Sequence, residues 1–87
     1  MIYPLYSVRD LKGDFWSVHV EQNEAAAIRN FSMMINTGNS LMNYAPKDFE
    51  LYHVGFFNSV SGLIEANSLP QLIVRGSDMI GGFHEES

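Results

Sequence analysis

The residues of this 87-residue chain best equipped for chemistry are aromatic and cationic, interleaved along its length. Phe15, Tyr44 and Phe49 can stack on exposed bases while Arg9, Lys12, Lys47 and Arg75 follow phosphates, which is how single-stranded nucleic acid is commonly held. The competing reading places the same aromatics in a core or a homodimer interface. His19, Glu21 and His53 would suit a zinc ion by ligand type, but their spacing matches no helical or knuckle signature, so ordinary half-exposed sheet histidines are expected and no metal. His84 falls in the C-terminal tail. Asp10, Asp14 and Asp48 lie near turns or strand ends, where Asp caps backbone amides. Paired-carboxylate catalysis needs a cleft that so short a chain has little room for, and Gly81-Gly82 has no following helix to cradle a phosphate. The chain is therefore expected to bind, not to catalyse, and to need no cofactor.

Composition narrows the class further. The chain is 46% hydrophobic and 13% aromatic, enough for one folded domain and against disorder. It has no cysteine, which excludes disulfides, thiolate metal sites and cysteine nucleophiles, and is compatible with a reducing cytoplasm. No stretch reaches the roughly 18 apolar residues of a membrane span. The N-terminal Met-Ile-Tyr-Pro-Leu-Tyr has no basic segment of a signal peptide. A net charge of −5 argues against a protein that coats nucleic acid by charge alone. Setting aside Glu85 and Glu86 in the tail still leaves five basic against eight acidic residues, so DNA binding requires a focused basic patch.

One helix organises the pattern. Asn23 is a good N-cap, Glu24 complements the helix dipole, and three alanines favour the helix interior. Ala27, Ile28, Phe31, Met34 and Ile35 form one apolar stripe, Arg29, Asn30 and Met33 lie opposite, and Gly38 suits the left-handed stop. Residues 3–9 read as a strand, 10–14 as a turn, and 15–21 as an alternating strand. Residues 37–47 read as polar and irregular, and residues 49–57 as the longest strand. Asn58-Ser-Val-Ser-Gly62 reads as a hairpin loop, 63–66 as a short strand that Pro70 breaks, and 71–75 as a last strand. The order β-β-α-β-β-β, without βαβ alternation, predicts an α+β fold: a mainly antiparallel, twisted five-stranded sheet with the amphipathic helix on one face. Residues 1–78 form the expected domain and 79–87 a flexible C-terminal tail.

Strand parity predicts the two faces. Tyr6, Val8, Trp16, Val18, Val20, Tyr52, Val54, Leu72 and Val74 should pack under Ile28, Phe31 and Ile35. The other face then carries Arg9, Phe15, Ser17, His19, Phe49, Leu51, His53, Ile73 and Arg75, with Gly55 as the point where a bulge would switch the parity of Phe56 and Phe57. A half-apolar face with scattered cations usually meets a partner. Self-association through Met33, Phe49, Leu51 and Ile73 is the alternative to a nucleic-acid platform.

Three segments together carry a resemblance: Tyr6-Ser-Val-Arg-Asp10, Ala27-Ile-Arg-Asn-Phe31, and Pro46-Lys-Asp-Phe-Glu-Leu-Tyr52 followed by Gly55. In that order and spacing, with Gly62 and Leu69-Pro70 further on, they resemble the small nonstructural protein of gokushovirus-type microviruses, which are single-stranded-DNA phages. The resemblance implies a protein of the infected bacterium's cytoplasm with a role in viral DNA replication or packaging. Its implied partners are single-stranded DNA or the viral replication and packaging proteins. A homo-oligomer is expected separately, because one helix covers only one side of the sheet, and no membrane contact is expected from the hydropathy. Arg9, Arg29 and Lys47 are the cationic positions inside the matching segments, and Asp10 and Asp48 read as turn or capping residues there.

Overall fold

In a computed structural model, residues 1–81 of the chain are described. Strand β1 (Ile2–Asp10) turns back into β2 (Phe15–Val20), helix α1 (Glu24–Asn36) follows, and a short helix α2 (Leu41–Tyr44) leads through a 3-10 turn (Pro46–Asp48) into β3 (Phe49–Asn58). Strand β4 (Ile64–Arg75) returns along β3 and ends in a second 3-10 turn (Gly76–Met79). The strands form one antiparallel sheet in the order β2-β1-β3-β4, so β1 and β3 are central and β2 and β4 are edges. The α+β class and the antiparallel sheet are as expected, but among the described residues there are four strands, not five. Pro70 does not break the last strand. It lies on an edge, where its missing N–H is not needed, within a stretch that loops out opposite Val54.

Helix α1 begins as its sequence suggests: the Asn23 side chain accepts from the amide of Ala26 at 2.9 Å, and Gly38 beyond the last turn takes φ +73°. Residues 37–47 are less irregular than expected, because Ser40 caps α2 by accepting from the amide of Asn43. Ala27, Phe31 and Ile35 of α1 form the core with Tyr6 and Val8 of β1 and Phe49 and Leu51 of β3. Met42 of α2 and Met79 of the last turn close its ends. Packing thus continues past residue 78. The rest of the expected tail, 82–87 with His84, Glu85 and Glu86, lies outside the described residues.

Two faces of the sheet depart from simple parity. Phe49 and Leu51 are 1% and 0% exposed, under the helix and not on the open face, because their cross-strand partners Asp10 and Val8 point that way. His53 joins them opposite Tyr6. Its burial is offset by Asn67, whose amide lies 2.8 Å from Nδ1 and 3.0 Å from the His53 carbonyl, and by edge-on packing against Tyr6 and Phe56. Tyr52 consequently faces the open side. In β2 an extra residue near Trp16 turns that indole against Phe49, while Val18 and Val20 stand opposite Ser7 and Leu5 on the open face, 55% and 51% exposed. In β4 the extra residue is Ile73, which packs against the core while Leu72 pairs with Tyr52 on the open side. The bulge anticipated at Gly55 is present as a register shift at Val54, and it returns Phe56 to the side of His53.

Gly55 is required by space. A Cβ there would lie 2.5 Å from the Glu65 carbonyl oxygen and 3.1 Å from the Ala66 Cα, both backbone atoms of β4. Gly55→Ala should therefore destabilise the fold by about 1–3 kcal/mol in denaturant unfolding. The Tyr6 hydroxyl is pushed above its usual pKa, first by burial and then by the carboxylates of Glu24 and Glu21. A raised folded-state pKa leaves stability intact below about pH 10 and removes it as pH rises toward the folded value. Tyr6→Phe should flatten the alkaline fall in melting temperature relative to the wild type, measured between pH 9 and 12.

Candidate nucleic-acid interface on the open sheet face

On the side of the sheet away from α1, one row crosses all four strands at the same end. Phe15 of β2 pairs with Arg9 of β1, Arg9 with Glu50 of β3, and Glu50 with Arg75 of β4. Side chains directly opposite one another in an antiparallel sheet share a face and touch, so the row is a physical cluster. The Arg9 guanidinium lies 5.6 Å from the Phe15 ring centre, within cation–π range. Phe15 meets Tyr52 edge-on at 5.3 Å, and the Tyr52 hydroxyl donates to Glu50 Oε1 at 2.8 Å. Arg75 Nε donates to the other oxygen, Oε2, at 3.3 Å. Glu50 is thus half-satisfied from each side, and its charge is used within the row.

The neighbouring turn brings a further cation to this end. Asp10 holds the β1–β2 turn by accepting from the amide of Lys12 through its side chain and from that of Gly13 through its carbonyl. The Leu11 amide donates to the Asp48 carbonyl, and Lys12 Nζ lies 3.9 Å from Asp48 Oδ2. Lys47 precedes Asp48 in the same 3-10 turn. Arg9, Lys12, Lys47 and Arg75, four of the five Lys and Arg residues, therefore gather at one end of the sheet. Asp10, Asp14, Asp48, Glu50 and Asp78 also lie at this end; Asp10, Asp48 and Glu50 are engaged in a turn or an ion pair, whereas Asp14 and Asp78 are exposed.

Of the expected platform, Arg9, Phe15 and Arg75 come together on the open face. Lys12 and Lys47 flank them at the sheet end. Arg29 and Tyr44 do not join, since α1 and α2 belong to the layer on the opposite face; Tyr44 stands exposed there. Phe49 is core, as described above. Tyr52 and Glu50 are the members the sequence reading missed, and their i, i+2 spacing beside Arg9 and Arg75 was the available signal. Among the expected self-association residues, only Met33 is exposed; Phe49 and Leu51 are buried and Ile73 packs against the core.

The histidines separate. His19 Nε2 is 3.3 Å from Glu21 Oε2, Glu21 accepts from the Asn30 side chain, and His53 is occupied with Asn67. Among the described residues no group of three or more His, Asp or Glu side chains is placed to hold a metal ion. No helix among them is long and apolar enough to cross a membrane.

No curated protein and no solved structure matches the chain. The family model described as phage ORF5 protein matches residues 3–79, a span that includes every strand residue of the row and the whole core from Tyr6 to Met79. The chain belongs to the phage ORF5 protein family.

Proposed function

We propose that this phage protein is a non-catalytic accessory protein, of the gokushovirus-type microviruses, that binds viral single-stranded DNA in the cytoplasm of the infected bacterium and serves replication or packaging. The row Phe15–Arg9–Glu50–Arg75, with Tyr52 beside it, carries the reading. It offers two aromatic rings for base stacking and two guanidinium groups for phosphates on one exposed face. Stacking on such rings is worth about 1–3 kcal/mol per base and does not depend on sequence. Four of the five Lys and Arg residues stand at the end where the rings are, among five carboxylates, so phosphate contact on this reading rests on Arg9 and Arg75, which share the open face with the rings.

A second reading is a protein-interaction module that meets a viral or host protein through the apolar part of the same face. Val18, Val20 and Leu72 are exposed there and favour it. Salt separates the two readings. Phosphate contacts weaken steeply as ionic strength rises, whereas an apolar interface responds little.

The ion pair of the row contributes little to the fold. Arg75 is more than half exposed, and such pairs are worth about 0–1 kcal/mol. Arg75→Gln should therefore leave the unfolding free energy within about 1 kcal/mol of the wild type. The same variants test the function. Fluorescence anisotropy of a labelled single-stranded oligonucleotide should show saturable binding at low salt that falls as salt rises. Neutralising Arg9 and Arg75 together should flatten the slope of log affinity against log salt by about 1.4, and reversing both charges should abolish retention without unfolding the protein. Unchanged binding in the charge-reversed variant would rule out the row as the interface.

A further inference from the structure

The two edges of the sheet are built differently. Edge β4 is interrupted twice: Ile73 is an extra residue between the pairs Leu51–Val74 and Tyr52–Leu72, and residues 67–70 loop out opposite Val54. Pro70 also lacks an N–H. Bulges and proline are the devices that keep an edge from pairing with another chain. Edge β2 has neither from Ser17 onward, and no Lys or Arg lies between Phe15 and Val20.

The backbone of β2 presents free hydrogen-bonding groups outward. The Glu21 amide donates to the Pro4 carbonyl at 3.1 Å, so Glu21 faces β1. Alternation along a strand then turns His19 toward β1 and sends the N–H and C=O groups of Val18 and Val20 away from the sheet. Apolar side chains flank this row of backbone groups on both sides. On the open face stand Val18 and Val20. On the helix side Trp16, Met33, Met34, Thr37, Ser40 and Met42 line a groove of about 400 Å³. Met33 is 58% exposed, and its flank of α1 is held over β2 by the Asn30–Glu21 bond at 3.0 Å. The titratable side chains at this edge, His19 and Glu21, lie 3.3 Å apart and face each other.

We propose that two copies of this chain join through β2, antiparallel about a twofold axis at His19, into one continuous eight-stranded sheet. The register follows from the outward groups. Val18 of each copy pairs with Val20 of the other, and the two exchange both backbone hydrogen bonds in each pair. A strand of this pattern is complementary to itself, so a second copy satisfies every outward group of this stretch at once. An axis perpendicular to the sheet puts both α1 helices on one side, and the Trp16–Met33–Met34 flanks then face each other across the paired His19 residues. Backbone pairing between two apolar layers is the anatomy of a homodimer interface, a core divided between two chains. The blunted β4 edges stop growth at two copies. The proposal does not rest on nucleic-acid binding.

The absence of cysteine gives a direct test on the full chain. His19 would oppose its own copy in a non-hydrogen-bonded pair, with Cα atoms about 4.5 Å apart, a span that a disulfide bridges. Oxidised His19→Cys should run as a covalent dimer, whereas Val60→Cys in the distant β3–β4 turn should not. By sedimentation, the wild type should have twice the chain mass, and Val18→Lys/Val20→Lys should weaken dimerisation at least 10-fold. Leu69→Lys on the β4 edge should leave it unchanged. Both valines are about half exposed, so the lysines do not enter the core, and circular dichroism confirms that the variants fold. A monomeric wild type at hundreds of micromolar would overturn the proposal. So would a dimer that survives the two lysines while His19→Cys fails to cross-link.

Discussion

A single helix lying on the central strand pair is the constraint from which the rest of this structure follows. Ala27, Phe31 and Ile35 pack onto Tyr6 and Val8 of β1 and Phe49 and Leu51 of β3, and among the described residues no other helix of that length covers the sheet. Each large side chain so buried is worth about 1.5–3 kcal/mol, which makes this contact the main source of stability in a small domain. The remaining segments serve to close it. Asn36 donates to the Ser32 and Met79 carbonyls at 2.8 and 2.7 Å and accepts from the Gly81 amide, which fixes the chain after β4 against the end of α1. Asn43 donates to the Ile35 carbonyl at 2.9 Å and does the same for α2. Polar side chains thus satisfy the last carbonyls of the helix while apolar Met42 and Met79 seal the core ends.

The opposite face carries no helix among the described residues, yet its centre is not left wet. Leu5 and Ser7 of β1 are buried there among neighbouring strands. Ser7 Oγ donates to the Trp16 carbonyl at 2.9 Å, which satisfies a backbone group at the irregularity in β2. The Phe15, Tyr52, Glu50 and Arg75 side chains interlock over the same end of the sheet. A face that was merely unfinished core would show isolated apolar groups. This one has a polar and aromatic network at one end and bare valines along one edge, so its two parts answer to different demands.

Local elements were legible in the sequence because their signals are local. Asn23, the alanines and Gly38 delimit α1 through capping, propensity and positive φ, all within a few residues. The faces were harder, because parity survives only where no residue is added. Extra residues at Val54, at Ile73 and near Trp16 each reverse it, and a register shift has no composition of its own. His53 compounded the error: as a titratable residue it appeared to mark a solvated face, whereas Asn67, fourteen positions away, makes it a core residue. Phe49 and Leu51 were displaced to the wrong side with it. Arg9, Phe15 and Arg75 fall on the open face as expected, since β1 has no added residue and Phe15 and Arg75 sit at strand ends beyond the irregular positions. Glu50 and Tyr52 were lost because their strand was turned over.

The acidity of the chain and its basic row are reconciled by where the charges are used. Asp10 and Asp48 brace the β1–β2 turn and Glu50 is shared by Tyr52 and Arg75, so three of the five acids at this end are bound internally, while Asp14 and Asp78 stand exposed at its margin in the flanking turns. Glu21, Glu24 and Glu65 lie toward the other end of the sheet. Pairing through β2 would amplify this polarity. Phe15 is four residues from the His19 axis, roughly 13 Å at the rise of a strand, and the axis keeps both open faces on the same side. The two rows would then lie at opposite ends of one surface, with their Phe15 ends roughly 26 Å apart along the strands. On the proposed reading, a single row with two arginines would bind a flexible strand weakly. Two rows held rigidly at fixed separation turn the second contact into an intramolecular one, and binding gains without any added charge. On the proposed reading, that gain from two linked contacts is what would let an acidic chain hold a DNA strand at all.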